Sequence, residues 1–161
     1  MVGPRPPLPR AVIARTMAQR VLLTRPDGDR GEDRRFDIRR VPDGTIVGSV
    51  EISRIARGNF QSAYLGYAIL PEHRGQGYMT EALQLALRHA FRSLRLHRVE
   101  ANVEPGNEAS LALVRQAGFT REGFSRRYLK IGGRWRDHER WALLAEDWRP
   151  SKRSAARGVR S

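Results

Sequence analysis

The chain has no cysteine. That excludes disulfides, a thiol nucleophile and any cysteine-ligated metal. Lysine is almost missing too: only Lys130 and Lys152 occur, so nearly all of the 30 basic residues are arginine. No run of about 18 apolar residues is present, so the sequence predicts no membrane-spanning helix and no membrane partner. The opening "MVGPRPPLPR" lacks the apolar core of a secretory signal. A cytoplasmic setting fits these absences. The four histidines, His73, His89, His97 and His138, show no metal-ligand spacing, and no metal is expected. His138 follows Asp137 in an expected strand; the pair could line an acceptor site, with a structural role as the simpler reading.

What remains is enough for one domain. There are 161 residues, 40% of them hydrophobic, which suits a folded unit with its own core. The net charge is +13. It reads equally as an arginine-preferring composition and as attraction for a polyanion, such as RNA or a phosphate-bearing cofactor.

Residues 1–35 form an Arg/Pro-rich segment expected to be irregular, in which "AVIARTMAQRVLL" reads as a short helix or an opening strand. Residues 36–150 carry the ordered pattern. "RRFDIRR" and "TIVGSVEIS" flank the hairpin signal "VPDG", and "QSAYLGYAIL" is a third strand. Met79, Ala82, Leu83, Ala86, Leu87, Ala90, Phe91 and Leu94 recur at three and four residues, which predicts an amphipathic helix. "HRVEANVE" is a strand; Asn107 caps a second helix with Leu111, Val114 and Ala117 inward, and Gly118 ends it. "REGFSRRYLKI" and "RWRDHERWALLA" form a last hairpin about "GG", and residues 151–161 read as a disordered basic tail. The layout is mixed α/β. A helix joining two strands implies a right-handed crossover and a locally parallel pair.

The stretch "LPEHRGQGYMTEAL" carries the chemistry. The first amides of a helix lack intrahelical partners, and the helix dipole adds positive charge there. A phosphate can accept those N–H groups if no side chain blocks it. Gly75 and Gly77 remove the obstruction, Arg74 adds a cation, and Thr80 offers a hydroxyl. A glycine-formed turn without a ligand is the competing reading of the two glycines taken alone.

Together with "NEASLALVRQAGF", that stretch resembles the GCN5-related N-acetyltransferases (GNAT). "GSVEISRIARGNFQSAYLGYAI", "LHRVEANVEPGN" and "REGFSRRYLKIGGRWRDH" are similar to the RimJ/RimL-type ribosomal-protein alanine N-acetyltransferases, RimJ more than RimL. The resemblance implies the GNAT acyl-CoA N-acyltransferase fold, with a V-shaped opening between residues 64–70 and 98–104. It implies acetyl-CoA as the acyl donor: backbone groups at Ile69 and Leu70 on the pantetheine arm, and amides of Arg74, Gly75, Gln76, Gly77, Tyr78, Met79 and Thr80 on the pyrophosphate. Asn107 matches the family's cofactor asparagine. Met79 departs from the general pattern in the RimJ manner and reads as a packing difference.

The implied reaction is direct attack of an amine on the thioester. Many members protonate the thiolate with a tyrosine where this chain has Val114; RimL-type members use a serine that falls on Ser110. No family base is present: Asn102 and Leu129 stand at the usual carboxylate positions. Glu100, Asn102 and Glu104 share a strand face, so water held by Asn102 could pass a proton to Glu104 or Glu100, with Glu51 a further candidate and an ordinary surface charge the simpler reading of each. An α-amine, with a pKa of about 7.7–8.0, needs less help than a lysine near 10.4. That favours a protein N-terminus, ribosomal by resemblance, as acceptor, with the basic surface in weak contact with RNA or ribosome and a homodimer compatible with the pattern. A small-amine or antibiotic acetyltransferase and a non-catalytic CoA- or RNA-binding module stay open. About 35 residues precede the first clear strand, fewer than the family's strand–helix–helix opening needs, so the acceptor half is expected to be abbreviated.

Overall fold

A computed structural model describes residues 19–29 and 31–150. The expected basic tail and most of "AVIARTMAQRVLL" lie outside these residues. Among the described residues seven strands form one sheet: β1 Val21–Thr24, β2 Arg34–Arg40, β3 Ile46–Ala56, β4 Ser62–Ile69, β5 Arg98–Val103, β6 Thr120–Ile131 and β7 Arg134–Leu144. Their spatial order is β1-β2-β3-β4-β5-β7-β6, and only β4 and β5 run parallel. The crossover between them is α1, Tyr78–Arg88; α2, Glu108–Gln116, joins β5 to β6. The "RVLLTR" end of the opening stretch supplies β1, fully buried and antiparallel to β2.

Alternation explains the sheet. In β3, Val50 and Ile52 are fully buried while Glu51 and Ser53 between them are only half so. In β5, Val99, Ala101 and Val103 point inward and Arg98, Glu100 and Asn102 outward. Sheet residues with a period of two thus divide into an apolar face and a polar one. The helices cover the apolar face. Met79, Ala82, Leu83, Ala86 and Leu87 of α1 are buried, as their spacing predicts, and the helix packs on β1 and β3. Its end widens into one π turn, His89–Ser93, where Leu94 N–H reaches His89 C=O at 2.9 Å. Leu111 and Val114 of α2 face β5. Asn107 Oδ1 accepts from Ser110 N–H at 3.1 Å, which is the expected cap. Gly118 follows with φ 95°, past the last turn.

His89 is a half-buried titratable group at the end of α1. It meets the Phe36 ring edge-on at 5.4 Å, and its Nε2 is buried without a partner. Burial, aided by the nearby Arg34 and Arg25 charges, lowers its pKa from the usual value of about 6.5. Above that value the ring is neutral folded or unfolded. As pH falls through it, the unfolded chain takes up a proton that the folded chain resists, so stability falls. The melting temperature should decline between pH 7 and pH 5, and His89→Leu should flatten part of that decline; an unchanged slope in the variant contradicts the assignment.

Candidate active site

The central strands separate after three residue pairs. Parallel pairing runs from Ser62/Arg98 to Tyr64/Glu100 and stops. β4 continues to Ile69 with only β3 as its partner, and β5 continues to Val103 with only β7. Backbone donors and acceptors on the facing edges of residues 65–69 and 101–103 therefore have no strand partner on that side. Such groups want a hydrogen bond from something else. The sequence prediction placed this opening over 64–70 and 98–104.

A cavity of about 610 Å³ opens at the mouth of the splay, within the range of small-molecule sites. Its wall takes in the end of β4 with Ile69, all of residues 74–80, and the α2 side with Asn107 and Ser110. The turn is built by glycine. Gly75 has φ 73° and Gly77 φ 79°, left-handed values that other residues adopt only at a cost. Gly77 is also the N-cap of α1 and, having no side chain, caps nothing, so the first-turn amides of α1 stay available at the cavity. Both readings of the glycines hold together: the turn needs their angles, and the same angles aim the bare helix end at the cavity.

Charge in the wall has one sign. Among the described residues, Arg74 and His73 line the cavity and no carboxylate does. Arg20, which the sequence did not single out, lies at the same helix end. Its guanidinium covers the Tyr78 ring at 5.1 Å, its backbone N–H donates to Glu81 Oε1 at 2.8 Å, and its Nη2 would lie 2.9 Å from a Cβ on Gly77. Long-range contact from β1 to the first turn of α1 gives no local sequence signal. Met79 is 7% exposed and belongs to the core as well as the cavity wall.

Ile69, Arg74, Gly75, Gln76, Gly77, Tyr78, Met79, Thr80, Asn107 and Ser110 are thus brought together, and Leu70, Asn102 and Glu104 are not among the lining residues. Leu70 is exposed just beyond β4, and its N–H donates to Val47 C=O at 2.8 Å. Asn102 pairs in register with Arg140 on the polar face. Glu104 lies in a separate hollow with Asp137 and Trp135 and sits 3.6 Å from Arg136. Glu100 is held by Arg98, which also pairs with Glu122. Glu51 stands opposite Gly66 in the β3–β4 register, on the polar face. His138 is buried at 2%, and its Nδ1–H donates to Arg136 C=O at 2.9 Å, a structural placement.

One contact spans 43 residues of sequence. Tyr67 of β4 reaches across the cavity wall to α2, its hydroxyl 2.5 Å from Ser110 Oγ. Burial raises the Tyr67 pKa above the ordinary tyrosine range, and the Ser110 hydrogen bond only partly offsets that.

A mixed sheet whose central parallel pair splays beside a glycine-built helix N-terminus is the GNAT fold. The acetyltransferase (GNAT) domain profile matches residues 2–120, and the chain belongs to that family. Among curated relatives, the [ribosomal protein uS5]-alanine N-acetyltransferase of Escherichia coli is 42% identical over 107 residues, 66% of this chain and 55% of that protein. The spermidine N(1)-acetyltransferase of Vibrio cholerae is 32% identical over 99 residues, 62% of this chain and 55% of that one. Among solved structures, Mycobacterium smegmatis RimJ in complex with CoA-disulfide superimposes with a TM-score of 0.71 at 38% identity, over 78% of this chain and 60% of that one. The chain spans about half to two thirds, 49% to 66%, of the length of the curated relatives it matches.

Proposed function

We propose that the chain transfers the acetyl group of acetyl-CoA to a primary amine, and that the acceptor is the N-terminal α-amine of a protein, a ribosomal one by its relatives. One observation carries this reading: the bare N-terminus of α1 and the unpaired edge of β4 open on one cavity in whose wall no carboxylate stands among the described residues. A pyrophosphate suits the first and an amide-bearing arm the second. The CoA bound in the RimJ neighbour supports the same ligand class.

The chemistry follows from what the residues can supply. A neutral amine attacks the thioester carbon; the C–N bond forms, the C–S bond breaks, and the electron pair leaves on sulfur. An N–H from the free edge of β4 near Ile69 is placed to carry the oxyanion. Of the hydroxyls in the cavity wall, Ser110 on the α2 side is the one we assign to the leaving sulfur. Among the described residues no carboxylate lines the cavity to act as base, which suits an acceptor whose pKa of about 7.7–8.0 leaves it partly neutral at pH 7. A cytoplasmic setting belongs to the same reading.

The spermidine-acetylating relatives support a polyamine as second acceptor class. A CoA-release assay separates the readings, with acetyl-CoA and, in turn, an Ala-starting peptide, a lysine peptide blocked at its N-terminus, spermidine and an aminoglycoside. The Ala-starting peptide should turn over fastest. Preference for spermidine moves the acceptor to the second class, and no turnover with any of them, despite CoA binding, leaves a binding module.

A further inference from the structure

Tyr67 is tied to the cavity by more than packing. Its ring lies on the apolar face, in register with Val50, and its hydroxyl projects to the start of α2. Ser110 is thereby held at two points. Its backbone N–H is fixed by Asn107 Oδ1 at 3.1 Å, and its Oγ meets the Tyr67 hydroxyl at 2.5 Å. Among the described residues, the other acceptor beside the Tyr67 hydroxyl is Ser110 C=O at 3.5 Å, too long to compete.

We propose that Tyr67 is a positioning residue for the leaving thiolate: its O–H donates to Ser110 Oγ, and this turns the Ser110 O–H away from the protein and toward the cavity as a free donor. The inference rests on the acetyl-CoA reading above and concerns the same site. A serine hydroxyl has one proton to give and two lone pairs to receive. If Ser110 spent its proton on Tyr67, only lone pairs would face the developing sulfur charge, which is repulsive. With Tyr67 as donor, the geometry is reversed and the two hydroxyls polarise one another. The arrangement also explains why a tyrosine with a raised pKa is suitable: it stays protonated and keeps donating.

Proton accounting closes without a net change in either hydroxyl. The acetylated nitrogen releases one proton to solvent, and the sulfur takes one up. Ser110 passes its proton to the thiolate and regains one through Tyr67 from solvent, or holds the thiolate by hydrogen bonding until solvent protonates it. Both residues end as they began. His73 and Arg74 are the other charged or titratable side chains in the cavity wall besides Tyr78, and the same variants leave them in place.

The test uses the full chain and CoA itself, so no acceptor is needed. The thiol of bound CoA is titrated by thiolate absorbance in the wild type, Tyr67→Phe, Ser110→Ala and the double variant, with affinity followed by calorimetry. A donor aimed at sulfur favours the thiolate, so the bound thiol should titrate below free CoA, by about one unit. Tyr67→Phe should remove most of that shift with CoA affinity changed less than about threefold. Ser110→Ala should remove it all, and adding Tyr67→Phe to it should change nothing further, because Tyr67 acts through Ser110. Full retention of the shift in Tyr67→Phe, or additive losses in the double variant, overturns the proposal. Wild-type CoA that binds with an unshifted thiol also overturns it, while leaving the CoA-binding reading intact. Absence of CoA binding refutes that reading and this inference with it. Where an acceptor turns over, Tyr67→Phe should lower kcat about 10-fold with KM for acetyl-CoA unchanged, a split that lost packing does not produce.

Discussion

Gly77→Glu should lower affinity for acetyl-CoA at least 100-fold, with the fold retained. Three effects add at one residue. The backbone there has φ 79°, which an L side chain adopts at a cost of about 1–2 kcal/mol. A Cβ would come 2.9 Å from Arg20 Nη2, so the arginine must move off the helix end. The new carboxylate would then occupy or repel the position where first-turn amides take an anion. Each tenfold loss corresponds to about 1.4 kcal/mol, so two such effects suffice for a factor of about 100. Calorimetry with acetyl-CoA reads the affinity and a melting curve reads the fold. Affinity within a factor of a few of the wild type would show that the phosphates do not sit at this helix end.

Gly48→Ala should be the larger blow to stability for its size. Gly48 faces Ile69 in the β3–β4 register, and its φ is not left-handed, so the glycine is there for closeness rather than angle. A Cβ would run into the backbone carbonyl oxygen of Ala68, with Ile69 Cα 3.1 Å away. Backbone cannot swing aside as a side chain can. The end of β4 must shift, and that end is the wall of the cavity. Overpacking of this kind costs about 1–3 kcal/mol, a fall of roughly 3–10 °C in melting temperature. Acetyl-CoA affinity should fall in the same variant although residue 48 does not line the cavity. A melting temperature within 1 °C of wild type, checked by calorimetric scanning, contradicts the close approach.

The two glycines differ in how the sequence shows them. Gly77 stands in a legible pattern: a strand end, a proline, Arg74, two glycines and then a three-and-four periodicity. Local rules reach that far, because turn angles, helix capping and amphipathic spacing are all decided by near neighbours. The buried face of α1, the Asn107 cap and the alternation of β5 were legible for the same reason. Gly48 reads as an ordinary strand residue until β4 is laid beside it.

The remaining features depend on contacts between distant segments. Arg20 and Gly77 meet only because β1 lies at the sheet edge beneath α1. Tyr67 and Ser110 meet because the crossover returns α2 over the end of β4. In the last hairpin the register slips between Ser125 and Leu129, where Arg127 takes φ 47° and its N–H donates to Asp137 Oδ1 at 2.8 Å. No glycine marks that irregularity, so periodicity could not find it. The carboxylates show the limit from the other side. Periodicity sets Glu100 and Asn102 on one face, as observed, but it could not say that this is the face away from the helices, nor that Glu104 turns toward Arg136.

Ligand identity at the splayed strands is the claim on which the others depend, and a calorimetric titration of the wild-type chain with acetyl-CoA measures it directly. The expected result is saturable binding of one acetyl-CoA per chain, weakened strongly when pantetheine, which lacks the pyrophosphate, replaces it, as the proposed phosphate site at the helix end requires. No heat of binding, or equal affinity for pantetheine, would contradict it.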